Sequence, residues 1–223
     1  MKAMILAAGE GKRMLPLTQT TPKPLLCIDG VSLIERLLNQ LEQANIHEVI
    51  INVRYLADKF HEMKENRKKT WPKIIISDET SHSHPLDTGG GIIAARPFLG
   101  EEPFLVISGD LYTQFPFSSL DLPSHCDGHL VLIENPPFNP KGDFNLDAQG
   151  LVSLSQQQPY TYGNIALFSP NLFNLPLQSL GLGSLMRKWA TEKRLSGEVY
   201  HGLWDNVGTP EQLQSHQSVK TCT

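Results

Sequence analysis

Residues 2–26 read KAMILAAGEGKRMLPLTQTTPKPLL, a short apolar run that breaks into small residues and glycines. The run from Ala3 to Leu6 has the length of one buried strand. Ala7, Ala8, Gly9 and Gly11 follow. Their small or missing side chains let backbone N–H groups come close to a ligand. Three cations, Lys12, Arg13 and Lys23, lie within reach of this loop. Lys23 stands between Pro22 and Pro24, whose rings stiffen its backbone. A strand, a glycine turn and fixed cations make a cradle for a polyphosphate. A tight turn with surface cations is the bland alternative, and it leaves the later motifs of the chain unexplained.

Two familiar phosphate-binding motifs are excluded. The P-loop needs Ser or Thr after GxxxxGK, but Arg13 follows Gly11-Lys12 and position 6 is Leu6. The dinucleotide fingerprint GxGxxG fails because Met14 stands where its third glycine belongs.

Composition narrows the class. The chain has 223 residues, 40% of them hydrophobic and 19% charged, as expected of a globular α/β protein. Its net charge of −4 argues against a broad basic surface for nucleic acid. No apolar run approaches the ~20 residues of a membrane span. Residues 4–8 are too short for the apolar core of a signal peptide. Cys27, Cys126 and Cys222 are odd in number and widely spaced, which suggests a reducing cytoplasm and no zinc site.

Along the chain, strands and helices alternate. Residues 32–41 read as an amphipathic helix capped by Ser32, and 48–53 (EVIINV) as a strand buried on both faces. Residues 56–65 read as helix and 73–77 as strand. Gly89, Gly90 and Gly91 then open a helix over 92–95, a second close-approach turn. His82 and His84 precede it in a Ser-rich loop and read as solvent-exposed rather than metal-binding. Residues 103–108 form a fourth apolar strand that ends at Gly109-Asp110. A carboxylate at the C-terminal end of a central strand lies where open α/β sheets place ligands, so Asp110 is the best single candidate for a Mg²⁺ ligand. The expected fold is α/β: a Rossmann-like, doubly wound, mostly parallel sheet.

The texture changes after about residue 115. Residues 129–134 and 161–168 read as strands, 144–154 as a hairpin and 184–193 as a helix with a basic tail that includes Arg187 and Lys188. Residues 197–200 and 202–204 read as a strand pair, and a last helix follows with Thr209 as N-cap and Pro210 at its first position. No linker separates two autonomous domains. The expectation is one domain over 1–223, with a nucleotide-binding half over about 1–115 and a smaller mixed acceptor-side lobe over about 116–217. The last residues, 218–223, read as a frayed tail.

The strings LAAGEGKRM, TPKPL, LDTGGGI, ISGD, NPKGDF and VGTPEQL together resemble the sugar-1-phosphate nucleotidyltransferases from end to end. That resemblance implies the nucleotide-diphospho-sugar transferase fold and an NTP and a sugar 1-phosphate as partners. The short chain is most similar to members that join UTP to an amino-sugar 1-phosphate in cell-wall sugar recycling. Mannose-1-phosphate guanylyltransferases are the alternative, and a non-catalytic nucleotide-sugar binding protein is the alternative of another class. A soluble cytoplasmic monomer or weak dimer is expected, with no nucleic acid or membrane partner.

The resemblance also implies roles. Arg13, Lys23 and Asp110 would be catalytic. Arg13 would hold the β and γ phosphates, Lys23 the α-phosphate or the attacking phosphate, and Asp110 the Mg²⁺. Ala8, Gly9, Gly11, Lys12, Thr88 and Gly89 would complete the nucleotide site, with Ala8 and Gly89 facing the base. Gly142, Asp143 and Asn164 would contact the sugar. In the family a second metal-binding Asp immediately precedes VGT. This chain has Asn206 there and Asp205 one position earlier, so either is the second candidate ligand.

Overall fold

The structure is a computed structural model, and it describes residues 1–217. The tail read as frayed, 218–223, lies outside the described residues. The first half runs β1 (Lys2–Leu6), β2 (Cys27–Ile28), β3 (Val31–Ser32), α1 (Leu33–Gln43), β4 (Glu48–Val53), α2 (Ala57–Glu65), β5 (Lys73–Asp78), α3 (Asp87–Leu99), β6 (Phe104–Ser108) and β7 (Leu111–Thr113). The second half runs β8 (Gly128–Glu134), β9 (Asn145–Leu146), β10 (Val152–Ser153), β11 (Tyr160–Phe168), α4 (Leu182–Thr191), β12 (Leu195–Val199), β13 (Trp204–Asn206) and α5 (Pro210–Ser215).

One seven-stranded sheet, in the order β12-β8-β11-β6-β1-β4-β5, carries both halves. Only β11 runs against the others, so the sheet is mostly parallel, as expected. The apolar runs are continuous because both faces are covered. Ala3 and Ile5 pack with Leu37, Leu38 and Phe60 from α1 and α2 on one side. Met4 between them packs with Ile92, Met186 and Trp189 from α3 and α4 on the other. A third cluster, with Met14, Leu26, Ile28, Leu33, Val207 and Leu213, fastens the first loop and α5 to the β2–β3 ribbon. Ser32 caps α1 by accepting from the Glu35 N–H, and Thr209 caps α5 by accepting from the Gln212 N–H.

Two expectations are corrected. Residues 197–200 and 202–204 do not pair with each other. β12 joins the large sheet beside β8, whereas β13 pairs antiparallel with β7, so that Asn206 lies opposite Leu111. The turn between them changes sheets, and it is tied down where the Thr113 hydroxyl and the Gln114 N–H both donate to the Leu203 carbonyl.

The glycine triplet does not open α3 either. The helix begins earlier, at Asp87, and the glycines lie inside its first turns. They are glycines because something presses on them. A Cβ on Gly90 would meet the Gln178 carbonyl oxygen at 2.3 Å, and one on Gly91 would meet both Asn52 and Glu79 at 2.7 Å. The start of α3 is thus pinned between the 178–182 segment and the ends of β4 and β5.

This packing makes Gly90→Ala informative. Alanine in an exposed helix gains up to ~1 kcal/mol over glycine. Here the added methyl should instead lower stability by about 1–3 kcal/mol, as overpacking does. Calorimetry should read a lower Tm, and an unchanged or higher Tm would show that the 178–182 segment yields freely.

Candidate active site

The C-terminal ends of β1, β4, β5 and β6 share one rim of the sheet, and a cleft of about 1070 Å³ opens along it. Its floor is the loop after β1. Gly11 adopts φ +63°, a conformation that favours glycine, and the Thr18 hydroxyl donates to its carbonyl at 2.9 Å. A Cβ on Gly9 would meet nothing within 4 Å, so that stretch of backbone faces open space. Lys12 is exposed and pairs with Glu10 at 2.9 Å. Arg13 is exposed in the cleft, and a Cβ on Gly208 would meet its Nη2 at 3.4 Å.

Lys23 is different. It lies in a short 3₁₀ turn, Lys23–Leu25, and is only 9% exposed. Its Nζ donates to Asp110 Oδ2. Asp110 follows β6, and the Val207 N–H donates to its carbonyl at 3.1 Å. That bond, with the β13–β7 pairing, brings Asn206 alongside. With its amide nitrogen turned toward Asp110, Asn206 donates to both carboxylate oxygens, at 2.8 and 2.9 Å. Asp205, the next residue back, points the other way, as strand alternation requires. Its carboxylate is held by His216 Nε2 at 2.6 Å and by Gln212 Nε2 at 3.2 Å. Asn206 therefore stands beside Asp110, and Asp205 does not.

The other end of the cleft holds a buried polar pair. Asn52, inside β4, accepts from the Ala7 N–H at 2.9 Å and donates to Glu79 Oε1 at 2.7 Å. Glu79 is 2% exposed. Burial pushes its carboxyl above the usual carboxylate range, and the Asn52 hydrogen bond and the charges of His82 and Arg54 offset this only in part.

A second, smaller cavity of about 290 Å³ meets the cleft at Leu6, Thr88 and Ser108. Asp143, Asn164 and Arg187 line it. Asn164 sits at φ +58° where β11 slips register against β8 between Tyr162 and Ala166. A bulge of this kind re-aims a side chain.

Comparison with known proteins places this geometry. A family model described as nucleotidyl transferase matches residues 2–122. The chain belongs to the nucleotidyltransferase family. An N-acetylmuramate alpha-1-phosphate uridylyltransferase of Neisseria meningitidis is 38% identical, over 98% of this chain and 98% of its own. One of the same name from Caulobacter vibrioides is 34% identical, over 94% of this chain and 92% of its own. A mannose-1-phosphate guanylyltransferase catalytic subunit beta of Xenopus tropicalis is 37% identical over 96% of this chain but 62% of its own. The crystal structure of HddC from Yersinia pseudotuberculosis superposes with a TM-score of 0.75 at 23% identity, covering 96% of this chain and 97% of that one. The fold is that of nucleotide-diphospho-sugar transferases, as expected.

In this nucleotidyltransferase the candidate residues sort into three groups. Ala8, Gly9, Gly11, Lys12, Arg13, Lys23, Thr88 and Asp110 line the cleft. Asp143 and Asn164 line the smaller cavity. Gly89, Gly142 and Asn206 line neither. Gly89 is buried, its N–H donates to the Leu180 carbonyl at 2.8 Å, and a Cβ there would press on that oxygen, so it serves helix packing. A Cβ on Gly142 would meet the Gln158 carbonyl at 2.0 Å, so it is a turn glycine wedged against the chain.

Sequence reasoning missed Asn52, Glu79 and Arg187. Asn52 had a signal, a lone amide in an otherwise apolar buried strand. Arg187 was read as part of a basic helix tail, but it faces the smaller cavity.

A metal reading has a physical test in the donor set. Asp110 offers one carboxylate toward the cleft, and the Asn206 amide could offer its oxygen after a rotation. One carboxylate plus a neutral oxygen, completed by phosphate and water, suits Mg²⁺. Among the described residues there is no group of three or more His, Cys, Asp or Glu that could hold a metal.

Glu79 yields a pH prediction. It binds its proton more readily folded than unfolded. Its contribution to stability is full below its ordinary value of 4.5 and is lost as pH rises through the raised folded value. Glu79→Gln should remove this loss. Urea unfolding between pH 4.5 and neutrality should show the variant losing less stability than the wild type as pH rises. Parallel pH profiles would refute the burial argument.

Proposed function

We propose that this nucleotidyltransferase joins UTP to N-acetylmuramate 1-phosphate in a Mg²⁺-dependent reaction that releases pyrophosphate. The observation that carries the reading is the pair of joined cavities. A large cleft with a glycine floor, Arg13 and Lys23 is sized and charged for a nucleotide triphosphate. A smaller cavity meets it at Leu6, Thr88 and Ser108. Substrate identity rests on full-length likeness to the two uridylyltransferases. The guanylyltransferase relative extends well beyond this chain.

Arg13 holds the β and γ phosphates, and the loop around Gly9 lets backbone N–H groups approach them. Lys23 exchanges Asp110 for the α-phosphate and steadies its charge. The phosphate oxygen of the sugar substrate then attacks the α-phosphorus. A new P–O bond forms as the bond to the bridging oxygen breaks, and pyrophosphate leaves with that electron pair. No proton transfer or protein nucleophile is needed, so catalysis consists of positioning and charge neutralisation. Asp110 and Asn206 would hold the Mg²⁺, which supplies further neutralisation of phosphate oxygens. Asp143 and Asn164 contact the sugar. A cytoplasmic role in cell-wall sugar recycling fits this substrate pair.

Pyrophosphate release should be measured with four NTPs against several sugar 1-phosphates, with and without Mg²⁺. Release with UTP and N-acetylmuramate 1-phosphate is expected. Release with another pair alone corrects the substrate, and NTP binding with no release in any pair points to a binding protein.

Lys23→Ala should lower turnover by roughly two orders of magnitude, the size seen when one preorganised donor is lost. Unchanged turnover would remove Lys23 from the mechanism. Asp110→Asn should abolish the Mg²⁺ dependence, and a normal Mg²⁺ titration of that variant would overturn its assignment as a ligand.

A further inference from the structure

Among the described residues Arg187 is the single cation lining the smaller cavity. It projects from α4, whose opposite face is anchored in the core by Leu185, Met186 and Trp189. Its guanidinium carbon lies over the buried Phe144 ring, 5.8 Å from the centroid. One acid is near it: Asp143, at 3.8 Å, too far for a hydrogen bond. Asp143 does not depend on that contact. Its Oδ2 already accepts the Tyr162 N–H at 3.0 Å, which ties it to β11. Arg187 thus keeps its fork of N–H donors open, and its side chain remains 47% exposed on the cavity wall.

The nearby cations Lys188 and Arg194 do not line this cavity. Arg194 donates to Asp127 at 2.7 Å, and Lys188 pairs with Glu192 at 3.9 Å on the outer face of the helix. A guanidinium with open donors, in a cavity whose other polar side chains are Asp143, Asn164, Thr88, Ser108 and Tyr162, suits a carboxylate held in a two-pronged hydrogen bond.

We propose that Arg187 is the residue that selects an acidic sugar. The inference rests on the reading that an amino-sugar 1-phosphate occupies this cavity. N-acetylmuramate carries a lactyl ether ending in a carboxylate, and N-acetylglucosamine is the same ring without that ether. Arg187 grips the carboxylate, while Asp143 and Asn164 take the neutral hydroxyl and acetamido groups that both sugars share. Lysine at this position would keep the charge but lose the planar fork.

The test compares wild type, Arg187→Gln and Arg187→Lys with N-acetylmuramate 1-phosphate and with N-acetylglucosamine 1-phosphate, each with UTP. Arg187→Gln should raise KM for the acidic sugar about 10- to 100-fold, the effect of one charge-assisted pair. KM for UTP and kinetics with the neutral sugar should stay within about two-fold, and Arg187→Lys should fall between. The ratio of the two sugars is the decisive readout, because a merely structural role would depress both alike. Equal losses on both sugars, or no loss on either, overturn the inference while leaving the proposed reaction standing. A wild type that uses only sugars without a carboxylate overturns both.

Discussion

Lys23 and Asp110 meet at the seam between β1 and β6, both largely withdrawn from water. Desolvating two charges costs several kcal/mol per ion, so such a contact persists only where the backbone on both sides is held. Here it is. Pro22 and Pro24 flank the lysine, and Gly109 lets the proline turn press on the strand ends. A Cβ on Gly109 would stand 3.0 Å from both the Leu6 carbonyl and the Pro24 ring. The Gly109 N–H donates to that same Leu6 carbonyl at 2.9 Å. Two motifs 87 positions apart are therefore one mechanical unit. In the proposed reaction such a lysine would pass from one anion to another with little reorganisation.

The third member of that unit arrives by a different route. Asn206 belongs to β13, which is not part of the large sheet and reaches Asp110 through its pairing with β7 and the Val207 N–H bond to the Asp110 carbonyl. The same two-residue alternation that turns Asn206 inward turns Asp205 outward, onto His216 and Gln212. The side chain beside Asp110 is thus neutral, and the charge one position earlier is spent on fastening α5. The Gln212 side chain also accepts the Gly208 N–H at 2.8 Å, so the turn under Arg13 is braced from the same helix.

The acceptor side is less regular, and its irregularities carry its chemistry. β11 is the one reversed strand, and its slipped register puts Asn164 into the smaller cavity in a backbone conformation that few residues other than glycine and asparagine adopt. Asp143 is held by the same strand, and Arg187 comes from a helix packed across it. Opposite them, Thr88 belongs to both cavities, and its hydroxyl accepts the Leu182 N–H at 2.9 Å, joining α3 to the start of α4.

Local composition by itself determined the strands, helices and caps. Continuous apolar runs at 3–6, 48–53 and 104–108 admit a parallel, doubly covered sheet and little else. Ser32 and Thr209 cap the helices they precede because an N-cap is an interaction over three residues. Motif strings likewise named Arg13, Lys23 and Asp110, since the glycine loop and its cations are neighbours in the chain. Tertiary structure decided everything that depends on meetings across long separations. Asn206 rather than Asp205 faces Asp110 because β13 pairs with β7, and no local signal sets that register. Gly89 and Gly142, read from sequence as ligand contacts, are packed against distant carbonyls, and a glycine kept for close packing looks the same in sequence as one kept for a ligand. Arg187 was indistinguishable from its helix neighbour Lys188 until the fold showed which of the two faces the cavity.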